Sequence, residues 1–205
     1  MRPEPLKLAF LASGNGSSAR AIVAAIGAGA LAAEARLLVS NNRGAPALSF
    51  AAEAGIAALC IPTQADPVAA DARLADTLAA HGVDLVILSG YLRQLGPATL
   101  ARYAGRILNI HPGPLPAFGG HGMYGRRVHE AVIAAGVAES GICVHLVDAE
   151  YDRGPVVARM SVPVQPGDTA AMLEARVTRE EPAFFVATLA QIVAGGLAQP
   201  APGAP

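Results

Sequence analysis

Tryptophan is absent, and Phe and Tyr together bring the aromatics to only 4% of the 205 residues. Charge is scarce too: 15 basic and 16 acidic side chains give a net charge of −1 with histidines neutral. A broad, phosphate-driven nucleic-acid surface needs a basic footprint that this balance does not supply. Cysteine occurs twice, at Cys60 and Cys143, too few for a zinc cluster. Both lie in apolar, strand-like runs and read as reduced, buried thiols. No apolar run is long enough for a bilayer span. The first, Leu8–Ala12, stops at Ser13 with no secretory h-region before it. The expectation is a cytoplasmic protein with neither membrane nor nucleic-acid partners.

Small apolar residues are plentiful. The apolar fraction is 53%, far above that of a disordered chain. The length suits one domain with a sizeable core, read as 1–197, followed by a flexible tail over 198–205.

Short apolar runs alternate with longer helical patterns. Strands are expected at Leu6–Ala12, Ala35–Ser40, Ala58–Pro62, Asp84–Ser89 and Arg106–Ile110. Helices are expected at Ser18–Ala28, Pro46–Ala54, Pro67–His81 and Pro97–Tyr103. Three of the four open with proline, whose missing N–H would be unpaired at the first helical position anyway. The alternation points to an α/β fold: a Rossmann-like, open, mostly parallel twisted sheet with helices on both faces. Leu85-Val86-Ile87-Leu88 has the unbroken apolar character of a parallel strand buried on both faces. After Pro112 a Pro/Gly-rich segment, Pro112–Gly122, breaks the rhythm. A helix follows at Arg126–Ala135, then strands at Gly141–Val147 and Val156–Val164, read as the antiparallel part of the sheet, and a long helix at Thr169–Ala194.

Each polar cluster follows a strand, and in an open α/β sheet ligands sit beyond the carboxyl ends of the strands. Ser13-Gly14-Asn15-Gly16-Ser17-Ser18 lies between a strand and a helix. Its glycines permit a tight turn, and free N–H groups at a helix start hold phosphate. The plainer alternative is an ordinary turn with Ser17 or Ser18 as helix cap. A nicotinamide cofactor is disfavoured: Ala19 replaces the third fingerprint glycine, and the second strand ends Ser40-Asn41-Asn42 without an acid.

Asn109-Ile110-His111-Pro112 closes a strand, and alternation puts Asn109 and His111 on one side. An amide donor beside an imidazole can hold a tetrahedral oxyanion, though such a pair is also common as plain structure. Asp148–Pro155 is a carboxylate-rich turn without the spacing of a calcium loop. A carboxylate from it next to His111 would orient the imidazole and raise its pKa. His81 reads as a helix C-cap or a surface residue, His129 and His145 as structural, and His121 as a ligand contact or a plain loop residue. No hydrolase elbow or zinc-protease motif is present.

Taken in order, Ser13-Gly14-Asn15-Gly16-Ser17, Ser40-Asn41, Gly90-Tyr91-Leu92-Arg93, Asn109-Ile110-His111-Pro112, Val144-His145 and Asp152-x-Gly154-Pro155 resemble the phosphoribosylglycinamide formyltransferases. These are folate-dependent enzymes of purine synthesis, and the likeness runs from about Lys7 to Leu197. It implies formyl transfer from 10-formyltetrahydrofolate, as co-substrate and without a metal, to the amine of glycinamide ribonucleotide. It also implies a catalytic trio of Asn109, His111 and Asp152. Ser13, Gly14, Asn15, Gly16, Ser17 and Ser18 match the family's phosphate-binding turn, and Glu181 its ribose contact. Tyr91, Leu92, Arg93, Gln94 and Leu95, with Asn109, match the folate site. The implied partners are these two small molecules, with the chain a monomer or homodimer.

The chain departs from the family pattern at Ser18, often asparagine, at Arg153, often glycine, and at Pro182, often histidine. It also lacks the basic residue common at the start of the third helix. The alternative functions are formyl transfer to another phosphorylated amine, such as an amino sugar nucleotide, and non-catalytic nucleotide or folate binding.

Overall fold

The computed structural model describes residues 4–195. The tail expected over 198–205 lies outside the described residues. The elements are β1 (Leu6–Leu11), α1 (Ser17–Gly27), β2 (Ala33–Ser40), α2 (Pro46–Glu53), β3 (Ala57–Cys60), α3 (Pro67–Ala80), β4 (Leu85–Leu88), α4 (Pro97–Arg102), β5 (Ile107–His111), α5 (Arg126–Ala134), β6 (Glu139–Leu146), β7 (Val156–Pro163) and α6 (Ala170–Gly195). Each matches an element expected from the sequence, with its ends displaced by no more than two residues. The strands form a mostly parallel, seven-stranded sheet in the order β3-β2-β1-β4-β5-β6-β7, with β6 and β7 antiparallel.

The chain divides into two compact units after Leu108. In the first, β1 pairs in parallel with both β2 and β4. The chain therefore builds outward on one side of β1, through β2 and β3, and then crosses to the other. That reversal creates a topological switch point at the carboxyl ends of β1 and β4. Leu8, Phe10, Leu37 and Ile87 are fully buried here, and all four residues of β4 are buried. Pro46, Pro67 and Pro97 open α2, α3 and α4, as their φ restriction favours. Asp66 caps α3 by accepting the Ala69 N–H at 2.9 Å. His81 ends α3 with Nδ1 2.8 Å from the Thr77 carbonyl, the expected C-cap. One thiol differs from expectation: Cys143 is buried, but Cys60 is only half-buried. It lies on β3, the edge strand, where one side of the sheet has no neighbouring strand.

In the second unit, α5 and α6 enclose an apolar cluster with the β6–β7 pair: Val132, Ile142, Val162, Leu173 and Val177. Helix α6 runs through Pro182. A proline inside a helix costs about 3 kcal/mol. Burial of Leu173, Val177, Phe185 and Leu189, at roughly 1.5–3 kcal/mol each, exceeds that cost. The β6–β7 register slips between Val144 and His145: Val144 faces Ala158, but His145 faces Val156. One extra residue, Val157, makes a bulge at this point, and bulges re-aim neighbouring side chains.

Candidate active site

In the first unit, the loop after β1 is held by the loops that follow β2 and β4. Ser13 donates its hydroxyl to Asn41 Oδ1 at 2.6 Å and accepts the Leu92 N–H at 2.8 Å. Its own N–H reaches the Gly90 carbonyl at 3.0 Å. Gly16 is the residue before α1, at φ 67°, a left-handed conformation that favours glycine. A Cβ there would meet Ala47 Cβ at 3.2 Å. No side chain caps α1, so the alternative of a capping Ser17 or Ser18 is not realised. The Ala19 N–H donates to Ser89 Oγ at 3.0 Å. The N–H groups of Ser17 and Ser18 have no acceptor among the described residues, which leaves the start of α1 able to bind an anion. Arg20 braces the loop from below: Nε donates to the Asn15 carbonyl at 3.0 Å, and the guanidinium lies 4.4 Å over the Phe50 ring.

Beside this loop lies a cavity of about 500 Å³, lined among others by Ser13, Asn41, Arg43, Gln64, Leu92 and Arg93. Neither Arg43 nor Arg93 has an acidic partner among the described residues, so the cavity wall carries two unneutralised guanidinium groups. The expected folate segment is divided by burial. Leu92 is 65% exposed, and Leu95 is in the core. Burial pushes the Tyr91 phenol up to about 12, so it remains a neutral hydroxyl.

In the second unit, Asn109 and His111 lie on β5, His145 at the bulge of β6, and Asp152 in the turn before β7. Asn109 Nδ2 is 3.1 Å from His145 Nε2. Asp152 stands between two imidazoles, with Oδ2 3.5 Å from His111 Nδ1 and Oδ1 3.5 Å from His145 Nε2. The expected trio is therefore assembled, and a fourth member joins it. His145, read from sequence as structural, is 2% exposed and touches two of the three.

Three features fix Asp152. Its φ of 57° makes it the one positive-φ residue other than glycine among the described residues. Asp tolerates that region better than most L-residues, at a cost of roughly 1–2 kcal/mol. The Gly120 N–H donates to Oδ2 at 3.0 Å. A Cβ on Gly119 would collide with Leu115 and come within 2.9 Å of Asp152 Cβ, so glycine is what lets this loop approach. His121 packs edge-on against Tyr151, with ring centroids 5.9 Å apart, tying the same loop to the Asp152 turn. Sequence reasoning missed the Gly120 contact. Its signal was the glycine run itself.

Burial dominates the electrostatics of His111. It pulls the imidazole below its ordinary value and outweighs the upward pull of Asp152 and the Phe118 carbonyl. Asp152 does act in the expected direction, but on a ring only 3% exposed it loses to desolvation. For Asp152 the balance is reversed. Burial pushes it up, but the His145 hydrogen bond, the His111 charge and the Gly120 N–H together hold it below the ordinary range. Arg153 is exposed and is not among the groups that shift it.

His111 Nε2 lies 2.8 Å from the Phe118 carbonyl. A carbonyl only accepts, so Nε2 carries the proton, and neutral His111 offers a lone pair at Nδ1. Glu181 stands apart, with no hydrogen-bond or ionic partner among the described residues. Burial raises its carboxyl to about 7. No group of three His, Cys, Asp or Glu among the described residues is arranged to hold a metal ion. Among them, no helix is long and apolar enough to cross a membrane.

Residues 6–189 match the family model described as formyl transferase. The chain belongs to the formyl transferase family. Among its relatives is the chloroplastic phosphoribosylglycinamide formyltransferase of Vigna unguiculata, 41% identical over 182 residues. That match takes in 88% of this chain but 58% of the relative, so the chain spans under two thirds of that protein's length. The phosphoribosylglycinamide formyltransferase of Escherichia coli K12 is 34% identical over 94% of this chain and 89% of its own. A crystal structure of glycinamide ribonucleotide transformylase 1 from Symbiobacterium toebii superposes with a TM-score of 0.85 at 33% identity. It covers 95% of this chain and 90% of that one. The formyl transferase fold expected from the motif order is thus the observed one.

Proposed function

We propose that this chain transfers the formyl group of 10-formyltetrahydrofolate to the primary amine of glycinamide ribonucleotide, in the cytoplasm, with residues 1–197 acting as a single formyltransferase domain. The observation that carries this reading is the group of Asn109 and Asp152, both half-buried, around the buried His111 and His145, in a member of the formyl transferase family. The names of its relatives support the amine.

The free N–H groups at the start of α1 suit the nucleotide's phosphate, with Ser13–Ser18 as its cradle. Glu181 is assigned to the ribose. Tyr91–Leu95 and Asn109 are assigned to the folate, and the unpaired Arg43 and Arg93 suit its carboxylate end.

The geometry supports the following course of reaction. The amine attacks the formyl carbon, forming a C–N bond and moving the carbonyl electrons onto oxygen. Asn109 donates an N–H to that oxyanion. His111, its Nε2–H held by Phe118, accepts the amine's surplus proton at Nδ1 directly or through one water, and Asp152 stabilises the resulting imidazolium. Collapse breaks the bond to the folate nitrogen, which takes the proton from His111. No metal takes part. A single oxyanion donor is commonly worth ~2.7–4 kcal/mol of barrier.

The test is to mix the protein with 10-formyltetrahydrofolate and follow deformylated folate by absorbance. Three arms are run: with glycinamide ribonucleotide, with an amino sugar nucleotide, and without amine. Product only with glycinamide ribonucleotide supports the proposal. Turnover of the amino sugar nucleotide alone replaces the substrate. Turnover without amine makes the chain a hydrolase, and silence in all three arms makes it a binding protein.

A further inference from the structure

Asp71 is a buried carboxylate on α3, set among Ala70, Leu74, Ala75 and Leu78 on the covered face of that helix. A buried carboxylate has to be satisfied, and the partners of this one lie on another helix. Oδ2 accepts the Ala98 N–H at 2.8 Å and Oδ1 the Thr99 N–H at 3.2 Å. The Thr99 hydroxyl in turn donates to the Asp71 main-chain oxygen at 3.3 Å. Ala98 and Thr99 are the second and third residues of α4, whose N–H groups a helix normally gives to the side chain of its own N-cap. Here the N-cap is Gly96, in an extended conformation (φ −85°, ψ 172°) that any residue can adopt. A Cβ on Gly96 would collide with Asp71 Cγ and Oδ2 and stand 2.8 Å from Asp71 Cβ. The Asp71 carboxylate thus occupies the place of the missing N-cap side chain.

Capping alone would need only a serine or aspartate at 96. A cap delivered from α3 also fixes where Gly96 stands relative to α3, and Gly96 directly follows the folate segment. Tyr91–Leu95 has neither helix nor strand, so its path depends on how its ends are held. At the near end, Ser13 accepts the Leu92 N–H and donates its own N–H to the Gly90 carbonyl. At the far end, Leu95 is buried and Gly96 lies against Asp71. Between them Leu92 is exposed. Asp71 is also felt inside the segment: burial raises the Tyr91 phenol, Arg93 lowers it, and the Asp71 charge raises it further.

We infer that Asp71 is a positioning residue for folate binding: by capping α4 from α3 it anchors the far end of Tyr91–Leu95 and holds that segment ready for the ligand. The inference rests on the assignment of Tyr91–Leu95 to the folate in the proposed function. Asp71 touches no substrate in this scheme. A segment that is already ordered avoids an ordering cost that would otherwise weaken binding.

Cap and anchor separate when the two residues are exchanged. Asp71→Gly removes both. Asp71→Gly with Gly96→Asp returns a carboxylate to the start of α4, now on its own N-cap, and leaves the anchor cut. Tm should fall in Asp71→Gly, and the exchanged protein should recover much of that loss. The Kd for 10-formyl-5,8-dideazafolate, measured by calorimetry, should rise roughly three- to tenfold in Asp71→Gly and stay raised in the exchanged protein. Affinity for glycinamide ribonucleotide should change less than about twofold in both. Asp76→Asn cuts the exposed Asp76–Arg102 pair between the same two helices and should leave folate affinity within about twofold. Native folate affinity in the exchanged protein, or an equal weakening of both ligands, overturns the inference.

A second measurement needs no ligand. Amide hydrogen exchange over 91–95 should be faster in the exchanged protein than in the native one, with β1 and β4 equally protected in both. Native protection over 91–95 would overturn the anchor. Asp71→Asn, which keeps one acceptor oxygen in the same space, should move both readings in the same direction by less, and decides the matter if the glycine variants do not fold. A native protein that binds no folate would instead remove the assignment of the segment, and hydrogen exchange would still decide the anchor.

Discussion

Gly120 donates its backbone N–H to the same carboxylate oxygen of Asp152, at 3.0 Å, that faces His111 Nδ1 at 3.5 Å. One oxygen therefore couples the glycine-rich loop to the imidazole. Asp152→Asn keeps the shape and removes the charge, and kcat is expected to fall roughly a hundredfold. The acid limb of the pH–rate profile should also move. Asp152 pulls the His111 pKa up, so without it His111 stays neutral to lower pH and the limb shifts downward. A pH series on both proteins checks this, and an upward shift would contradict the assigned coupling.

Gly154 carries a steric prediction. A Cβ at this position would overlap the Leu146 carbonyl, and that backbone has nowhere to retreat because the Leu146 N–H is bonded to Pro155 O at 2.9 Å. Gly154→Ala should destabilise the protein by about 3 kcal/mol, the upper range for overpacking. Denaturant unfolding measures it.

Glu181 should make the protein less stable in alkali. Its carboxyl is raised from 4.5 to about 7 by burial, so folding favours the protonated form. That contribution is complete below pH 4.5, declines as pH rises, and is gone above about 7, a swing of about 3 kcal/mol. Glu181→Gln should flatten this slope and raise Tm at pH 8 relative to pH 5. Melting curves across that range decide it.

Asp168 acts in the opposite direction. Arg176 grips it with two hydrogen bonds, at 2.6 and 2.9 Å, and holds its pKa at about 2. The stabilisation is complete above the unfolded value of 3.8 and is lost as pH falls toward 2. Asp168→Asn should therefore lower Tm at pH 6 and weaken the dependence of Tm on pH between 4 and 2.

The fold was legible because each local signal agreed with the others. Unbroken apolar runs such as Leu85–Leu88, too short for a helix, read as buried parallel strands, and the prolines at 46, 67 and 97 marked helix starts. Asn109 and His111 were legible as a pair from strand alternation alone. Asp152 entered only through the motif order, since residues 41 positions apart meet by tertiary contact. The place of His145 beside Asn109 and Asp152 was hidden for a related reason: strand alternation predicts where a regular strand aims its side chains, and the bulge breaks that alternation at this residue. The sign of the His111 shift depended on burial, which a spacing pattern does not contain.

The left-handed backbone at Asp152 changes what an alanine scan would measure. Alanine pays for that conformation in full, glycine pays almost nothing, and asparagine lies close to aspartate. Asp152→Ala would thus mix a loss of carboxylate with a displaced turn, and would overstate the chemistry. Asp152→Gly would keep the turn and could even melt at a higher temperature than the native chain. A variant more stable and far slower would identify position 152 as a place where the chain keeps a conformationally unfavourable residue for the sake of its charge.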